Sequence, residues 1–589
     1  MNKKAVSKKT GKKDIRFLVA IAVVLVVIVA GILLNLKPTP KGPGGGGYGG
    51  TTDDWQYNPQ ANADGMLKGG APGGVQYATG AMPSAAENLG FAVGGAKDIN
   101  NFRENIKNNY LPIPTDLTYE GLFYGYYFDT GQTEACNKLF CPSYSYAISK
   151  DPLSRGDDYY LSVGLNSGIK ESDFERKKLN LVIVLDISGS MGSPFNQYYY
   201  DQFGNQQAVD ESEPGKSKVK VAAESIVALL DHLNDDDRFG MVLYDDVAYL
   251  AKPMKLVGDT DMDALKEHIL ELAEQGGTNM EAGLEKGTEL FKEVQDADPE
   301  EYENRIIFLT DAQPNTGDTS ESGLMGMTKK NAENRIYLTF IGMGVDFNTE
   351  LTEALTKIRG ANYYSVHSSN DFKKRMDDEF EFMVTPLVFN LVLKLEATGY
   401  DIEKVYGSPE ADESTGEIMK VNTLFPSKTE EGQTKGGIIL LKLKKTSPNA
   451  SLKLKASYED RNGKEDSDEK SVTFGSQASD YYQNSGIRKA TLLARYADLM
   501  KNWVIDERAA LARNKEVVPS ITTSGGITIP VDYALGEWER QSSPLHVSSK
   551  YKELFQVFAE YFNQEMDGIG DETLSQEYEL LAKLSDFAG

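Results

Sequence analysis

Three short stretches, far apart in the chain, hold the residues best suited to chemistry: Asp186-Ile187-Ser188-Gly189-Ser190, Gly276-Gly277-Thr278-Asn279 and Leu309-Thr310-Asp311-Ala312. Brought together, Asp186, Ser188, Ser190, Thr278 and Asp311 supply two carboxylates and three hydroxyls, all oxygen donors. Such a set suits a hard divalent cation in octahedral geometry, Mg²⁺ or Mn²⁺ first and Ca²⁺ less ideally. Ser188 and Ser190 stand two apart on a turn, so both hydroxyls can face one point. Few direct carboxylates leave the ion electron-poor, with a position open for an outside anionic oxygen. The natural sixth ligand is an Asp or Glu carboxylate exposed on a protein partner. Catalysis has less to draw on. The four histidines, His232, His268, His367 and His546, form no HExxH zinc motif. Gly189-Ser190-Met191-Gly192 departs from the GxSxG nucleophile elbow. With no assembled nucleophile–base pair, the sequence is not expected to be an enzyme.

Regular elements have to carry these residues to one place. Leu179 to Leu185 (LNLVIVL) is a continuous apolar run of strand length, as in a parallel strand buried on both faces. Val219, Ala222, Ala223, Ile226, Leu229, Leu230 and Leu233 follow at helical spacing. Strand patterns recur at Phe239–Tyr244, Arg305–Thr310, Arg335–Gly342 and Tyr363–His367, with an edge-like piece at Val247–Val257. Helical patterns fall between them, at Met262–Ala273, Ala282–Val294 and Leu351–Ile358, and Phe372–Val384 closes the series. This alternation predicts an α/β unit over residues 179–385, with a mostly parallel sheet and helices on both faces. Ligands of such sheets bind at the carboxyl ends of strands, where the three motif stretches fall.

In this order and on these elements, Asp-x-Ser-x-Ser, Gly-Gly-Thr-Asn and Leu-Thr-Asp resemble a von Willebrand factor type A (VWA) domain with a metal-ion-dependent adhesion site. The resemblance covers about Leu179 to Thr385 and implies a Rossmann-like fold. It implies Ser188, Ser190 and Thr278 as direct or switchable ligands, with Asp186 and Asp311 often acting through water. More widely the layout resembles YfbK-like bacterial envelope proteins and inter-alpha-trypsin inhibitor heavy chains. One departure is the polar insertion Pro194–Gly215, whose Tyr198, Tyr199 and Tyr200, like Asn279, are candidates for ligand contact.

The flanks read as a mount. Seven Lys/Arg precede Phe17–Leu36, twenty positions without a charge, long enough to cross a bilayer. Their length favours an uncleaved anchor over a signal peptide, with the 1–16 tail cytoplasmic and the bulk of the chain exported across the cell membrane. Residues 37–89, rich in Gly and Pro, read as a flexible linker. Residues 90–178 end in a strand at Tyr159–Leu165, and 386–475 contain further alternating strands, which predicts a β-sandwich with the α/β unit inserted in it. Residues 476–589 turn helical. In an exported segment Cys136 and Cys141 can close a small loop as a disulfide. The chain has 62 Lys/Arg against 88 Asp/Glu, a net charge of −26, which argues against nucleic acid as a partner. The sequence thus points to a membrane-anchored adhesion protein of the envelope. The alternative is an envelope scaffold whose metal site only stabilises. A further expectation is that the Phe372–Val384 helix couples site occupancy to the mount.

Overall fold

The apolar run at Leu179–Leu185 becomes the strand Lys178–Asp186, in which only the first residue is not buried. In this computed structural model it is the centre of a seven-stranded sheet ordered Gly95–Ala96, Asn362–Val366, Ile336–Met343, Tyr302–Thr310, Lys178–Asp186, Arg238–Tyr244, Ala248–Leu256. All neighbours are parallel except the last pair. Side chains alternate across the sheet. Leu181, Ile183 and Leu185 therefore join one apolar cluster with Val219, Ile226 and Leu265 from the helices Lys218–Leu230 and Met262–Leu270. Val182 and Val184 join another with Met280, Leu284 and Leu324 from the helices Met280–Glu289 and Glu321–Glu333. Each such fully buried aliphatic side chain stabilises the fold by about 1.5–3 kcal/mol, an upper estimate.

The structure describes residues 51–58, 88–97, 99–194, 216–311, 321–343, 357–366, 372, 375–377, 379–408, 417–447, 451–472, 474–475, 479–514, 520–522, 528–530 and 543–588. The basic tail, the apolar run 17–36, Tyr198 to Tyr200 and most of the 351–358 helix lie outside these residues. Among the described residues no helix is long and apolar enough to cross a membrane.

The mount is hydrogen-bonded as one antiparallel sheet of ten strands. Its organising element is the long strand Asp157–Lys170, which pairs with Cys141–Lys150 along one edge. Along the other edge it pairs first with Ile438–Lys445 and then with Asn88–Val93. Two neighbours sharing one edge split the sheet into two leaves. Leu161, Ile439 and Leu441 from one leaf meet Leu391, Leu393 and Leu454 from the other in a single cluster. The reverse face of the first leaf, at Ala147, Tyr160 and Leu440, is covered by the helix Ser485–Asn514. The helices Ser549–Ile569 and Ser575–Asp586 complete that layer with Phe555, Phe558 and Phe562. Its last helix also reaches back to the segment before the Cys141–Lys150 strand. Glu577 Oε1 accepts from Arg103 Nη2 at 2.5 Å and from Tyr126 Oη at 2.9 Å, all buried.

Two boundaries shift. The two-residue strand Gly95–Ala96 belongs to the α/β sheet although it lies far before residue 179. Within the stretch read as a flexible linker, residues 52–57 lie on the α/β unit. Gln56 N donates to Ala251 O on the edge strand at 2.8 Å, Asp261 N donates to Thr52 O at 3.1 Å, and Trp55 stacks on His268 at 5.4 Å. An edge strand with free hydrogen-bonding groups and two aromatic anchors, Trp55 and Tyr57, outweigh the Gly-rich context.

The α/β unit meets the mount through charge. Glu379, just before the helix Phe380–Val384, accepts from Lys435 Nζ of the mount at 2.6 Å and pairs with Arg375. Burial alone would raise the Glu379 carboxyl, but Arg375 and Lys435 override it and hold the group well below the usual carboxylate range. Beside them Lys97 is buried, donates to Val93 O, and lies 4.6 Å from the Tyr124 ring and 5.2 Å from the Phe425 ring. Burial first, then the charge of Lys435, lowers its ammonium to about 7.

Candidate metal centre

Register brings the carboxylates together. Leu185 pairs with Leu309 across the parallel strands, so Asp186 and Thr310-Asp311 emerge at the same end of the sheet. Asp186 is fixed at its base: Oδ1 accepts from Ser188 N at 2.8 Å, and Oδ2 accepts from Tyr244 Oη at 3.0 Å and Thr310 Oγ1 at 2.8 Å. Above it the Ser188 and Ser190 hydroxyls are 3.1 Å apart, and Ser190 Oγ donates to Asp311 Oδ1 at 3.0 Å.

The second stretch, Gly276–Asn279, is strapped to the first by its backbone. Gln275 N donates to Ile187 O at 2.6 Å and Gly189 N to Gly276 O at 3.0 Å. Asn279 N donates to Asp245 O at 2.7 Å, which fixes the loop from its other side. Gly276 has φ +67°, and a Cβ there would stand 2.9–3.0 Å from the Asp245 and Asp246 side chains, so glycine is required. Thr278 is buried on this loop. Asn279 is engaged by the chain itself. Its Oδ1 caps the Met280–Glu289 helix at Ala282 N, 3.1 Å, and its Nδ2 donates to Asp246 O at 3.3 Å. Tyr198, Tyr199 and Tyr200 fall outside the described residues. Cys136 and Cys141 are joined as a disulfide ahead of the Cys141–Lys150 strand.

The electrostatics favour a cation. Burial first, and the charge of Asp311 second, push the Asp186 carboxyl up to about 7, while hydrogen bonds from Ser188 and Thr310 pull it back. Two buried carboxylates that repel each other, topped by two hydroxyls within 3.1 Å, form a donor set that fits a hard divalent ion. Asp186, Ser188, Ser190, Thr278 and Asp311 are the residues to hold it. The ion would supply a Lewis-acidic site for an outside oxygen.

Sequence reasoning missed the positive charge already present. Lys218 Nζ donates to Asp311 Oδ2 at 3.1 Å, and neither side chain has any exposed surface. Lys218 is the first residue of its helix, where a cation opposes the helix dipole, and that misfit was the available signal.

Comparison with known proteins places the α/β unit in a family. Residues 180–378 match the von Willebrand factor type A domain family. Inter-alpha-trypsin inhibitor heavy chain H1 of Sus scrofa is 23% identical over 222 residues, 37% of this chain and 22% of that protein. Heavy chain H4 of Bos taurus is 22% identical over 180 residues, 30% of this chain and 20% of that one. The chain thus spans about a fifth of the length of the curated relatives it matches. Among solved structures, a von Willebrand factor type A protein from Catenulispora acidiphila is 14% identical with a TM-score of 0.39, covering 65% of this chain and 84% of its own. Residues 180–378 thus form a VWA domain within the chain.

Proposed function

We propose that the VWA domain captures a protein partner by its carboxylate, through a divalent cation held by Asp186, Ser188, Ser190, Thr278 and Asp311. The chain presents this domain outside the cytoplasm, on a membrane anchor formed by residues 17–36. The observation that supports the reading is the run of oxygens from Ser188 Oγ through Ser190 Oγ to Asp311 Oδ1, at 3.1 and 3.0 Å, above a buried Asp186. Such a set leaves a bound Mg²⁺ or Mn²⁺ short of negative charge, and a partner's Asp or Glu completes it. The test is a pull-down from envelope extract with Mg²⁺, with EDTA, and with the Ser188→Ala/Ser190→Ala double variant. Capture in the Mg²⁺ lane alone is the expected result; equal capture in every lane defeats the reading.

A second reading is an envelope scaffold whose metal site is vestigial or only stabilises, and the Lys218–Asp311 pair, which already neutralises one carboxylate, favours the vestigial form. Absence of any cation-dependent capture selects the scaffold: thermal stability unchanged by Mn²⁺ marks the site as vestigial, and stability raised by Mn²⁺ marks it as structural.

A further inference from the structure

At the opposite end of the α/β sheet, where Tyr302–Thr310 and Ile336–Met343 begin, lies a cavity of about 780 Å³ between the VWA domain and the mount. That is the size of a small-molecule site. Its apolar lining includes Phe291, Ile336 and Tyr337 of the VWA domain and Phe389 of the mount. Of the five cations that border it, Lys177, Arg335 and Arg461 come from three separate elements. Lys177 precedes the central strand, Arg335 stands at φ 58° before Ile336, and Arg461 sits on the turn between Ser451–Asp460 and Glu465–Val472.

The charges there are not balanced. Of the lining carboxylates, Glu303 is taken by Arg305 at 3.0 Å, and Glu289 by Lys286 and Lys292 at 3.3 Å each. Glu285 is exposed at the rim. Arg461 Nη1 is buried and has no hydrogen-bond partner among the described residues. A buried guanidinium N–H without an acceptor is unfavourable, and an oxyanion is the acceptor its fork fits best. Lys177 Nζ donates to Pro299 O at 2.8 Å. Burial, and then repulsion from Arg461 and Arg335, lower its pKa, with Glu303 opposing.

We propose that this cavity binds a small organic anion, a phosphate or sulfate group on an apolar or aromatic body. The anion meets Arg461, Lys177 and Arg335, and the body lies against Tyr337 and Phe389. The site is independent of the divalent-cation centre, which stands at the other end of the sheet.

Isothermal titration of the full chain in EDTA tests it, with phenyl phosphate, phenyl sulfate, inorganic phosphate and phenol as probes. Phenyl phosphate or phenyl sulfate should bind, whichever is tighter naming the group, and at least tenfold more tightly than inorganic phosphate or phenol. Arg461→Ala and Arg335→Ala should each weaken binding about tenfold or more, and Arg461→Lys less than Arg461→Ala, because lysine keeps the charge and loses the fork. Both arginines lie at the surface end of turns, and circular dichroism checks that the variants fold. No binding of either phenyl ester overturns the proposal. So does binding unchanged in both alanine variants, or binding lost in Asp311→Ala, which would move it to the other site.

Discussion

Two regions of the VWA domain bury a lysine, and they balance it in opposite ways. At the carboxyl end of the sheet, Lys218 faces Asp311 with Asp186 below, so one ammonium meets two carboxylates. At the junction with the mount, Lys97, Lys435 and Arg375 surround Glu379, with Glu120 further off. The first region has a surplus of negative charge and the second a surplus of positive charge. A surplus beside open oxygen donors invites an ion from solution. A surplus walled in by Tyr124 and Phe425 has no such outlet, and the lysine's pKa is lowered to about 7 instead. The same buried residue type thus answers a surplus of negative charge in one place and adds to a surplus of positive charge in the other.

The contrast can be broken experimentally. Glu379→Gln should have the largest effect, a loss of about 4 kcal/mol, because it removes the carboxylate between two buried cations. Urea denaturation should give the same loss with Mn²⁺ and with EDTA; a loss that Mn²⁺ restores would show that the joint and the metal centre are one system. Lys218→Met should cost about 3 kcal/mol in EDTA by leaving the carboxylate pair uncompensated. Millimolar Mn²⁺ should recover most of it in thermal melts, and no recovery would argue against cation binding there.

Lys97→Met sharpens the comparison through pH. The folded value near 7 lies below the ordinary 10.5, so between these limits the unfolded chain binds more protons and wild-type stability rises with pH. Below pH 7 the penalty is fully present. The variant should therefore be more stable than wild type by about 2 kcal/mol at pH 6, after the cost of leaving Val93 O unpaired, and the gain should vanish toward pH 10. A gain that does not change with pH would place the effect in packing. Trp55→Ala should be the smallest, about 1–2 kcal/mol, read as faster proteolysis at residues 51–58 with the rest of the domain unaltered.

The donor set was legible because its chemistry is local. Asp186, Ser188 and Ser190 lie within five positions at the end of an apolar run, and the run itself announces a buried strand. Lys218 was not legible as a partner of Asp311, since the pair lies 93 positions apart and meets only through the fold. Period-2 patterns at Leu387–Ala397, Gly437–Lys445 and Ser451–Tyr458 marked the half-buried strands observed at Val388–Thr398, Ile438–Lys445 and Ser451–Asp460, but not their pairing. Alternation shows which face is buried and says nothing of a strand such as Asp157–Lys170 that serves three neighbours. Gly95–Ala96 is too short for any period to exist. In the linker, Gly content was weighed and Trp55 and Tyr57 were not, although aromatic side chains in a polar tether are the residues with most to gain by docking.

The Gly95–Ala96 strand pairs with Asn362–Tyr363, and Arg103 with Glu577, so segments made early wait for partners made much later. Contacts spanning roughly 270 and 470 positions make for slow, late closure. During synthesis the α/β unit emerges as a guest inside an unfinished host, one sheet edge bare until the Gly95–Ala96 strand returns to it. A chain truncated before residue 577 would keep the whole metal centre and still leave Arg103 buried without its counter-charge.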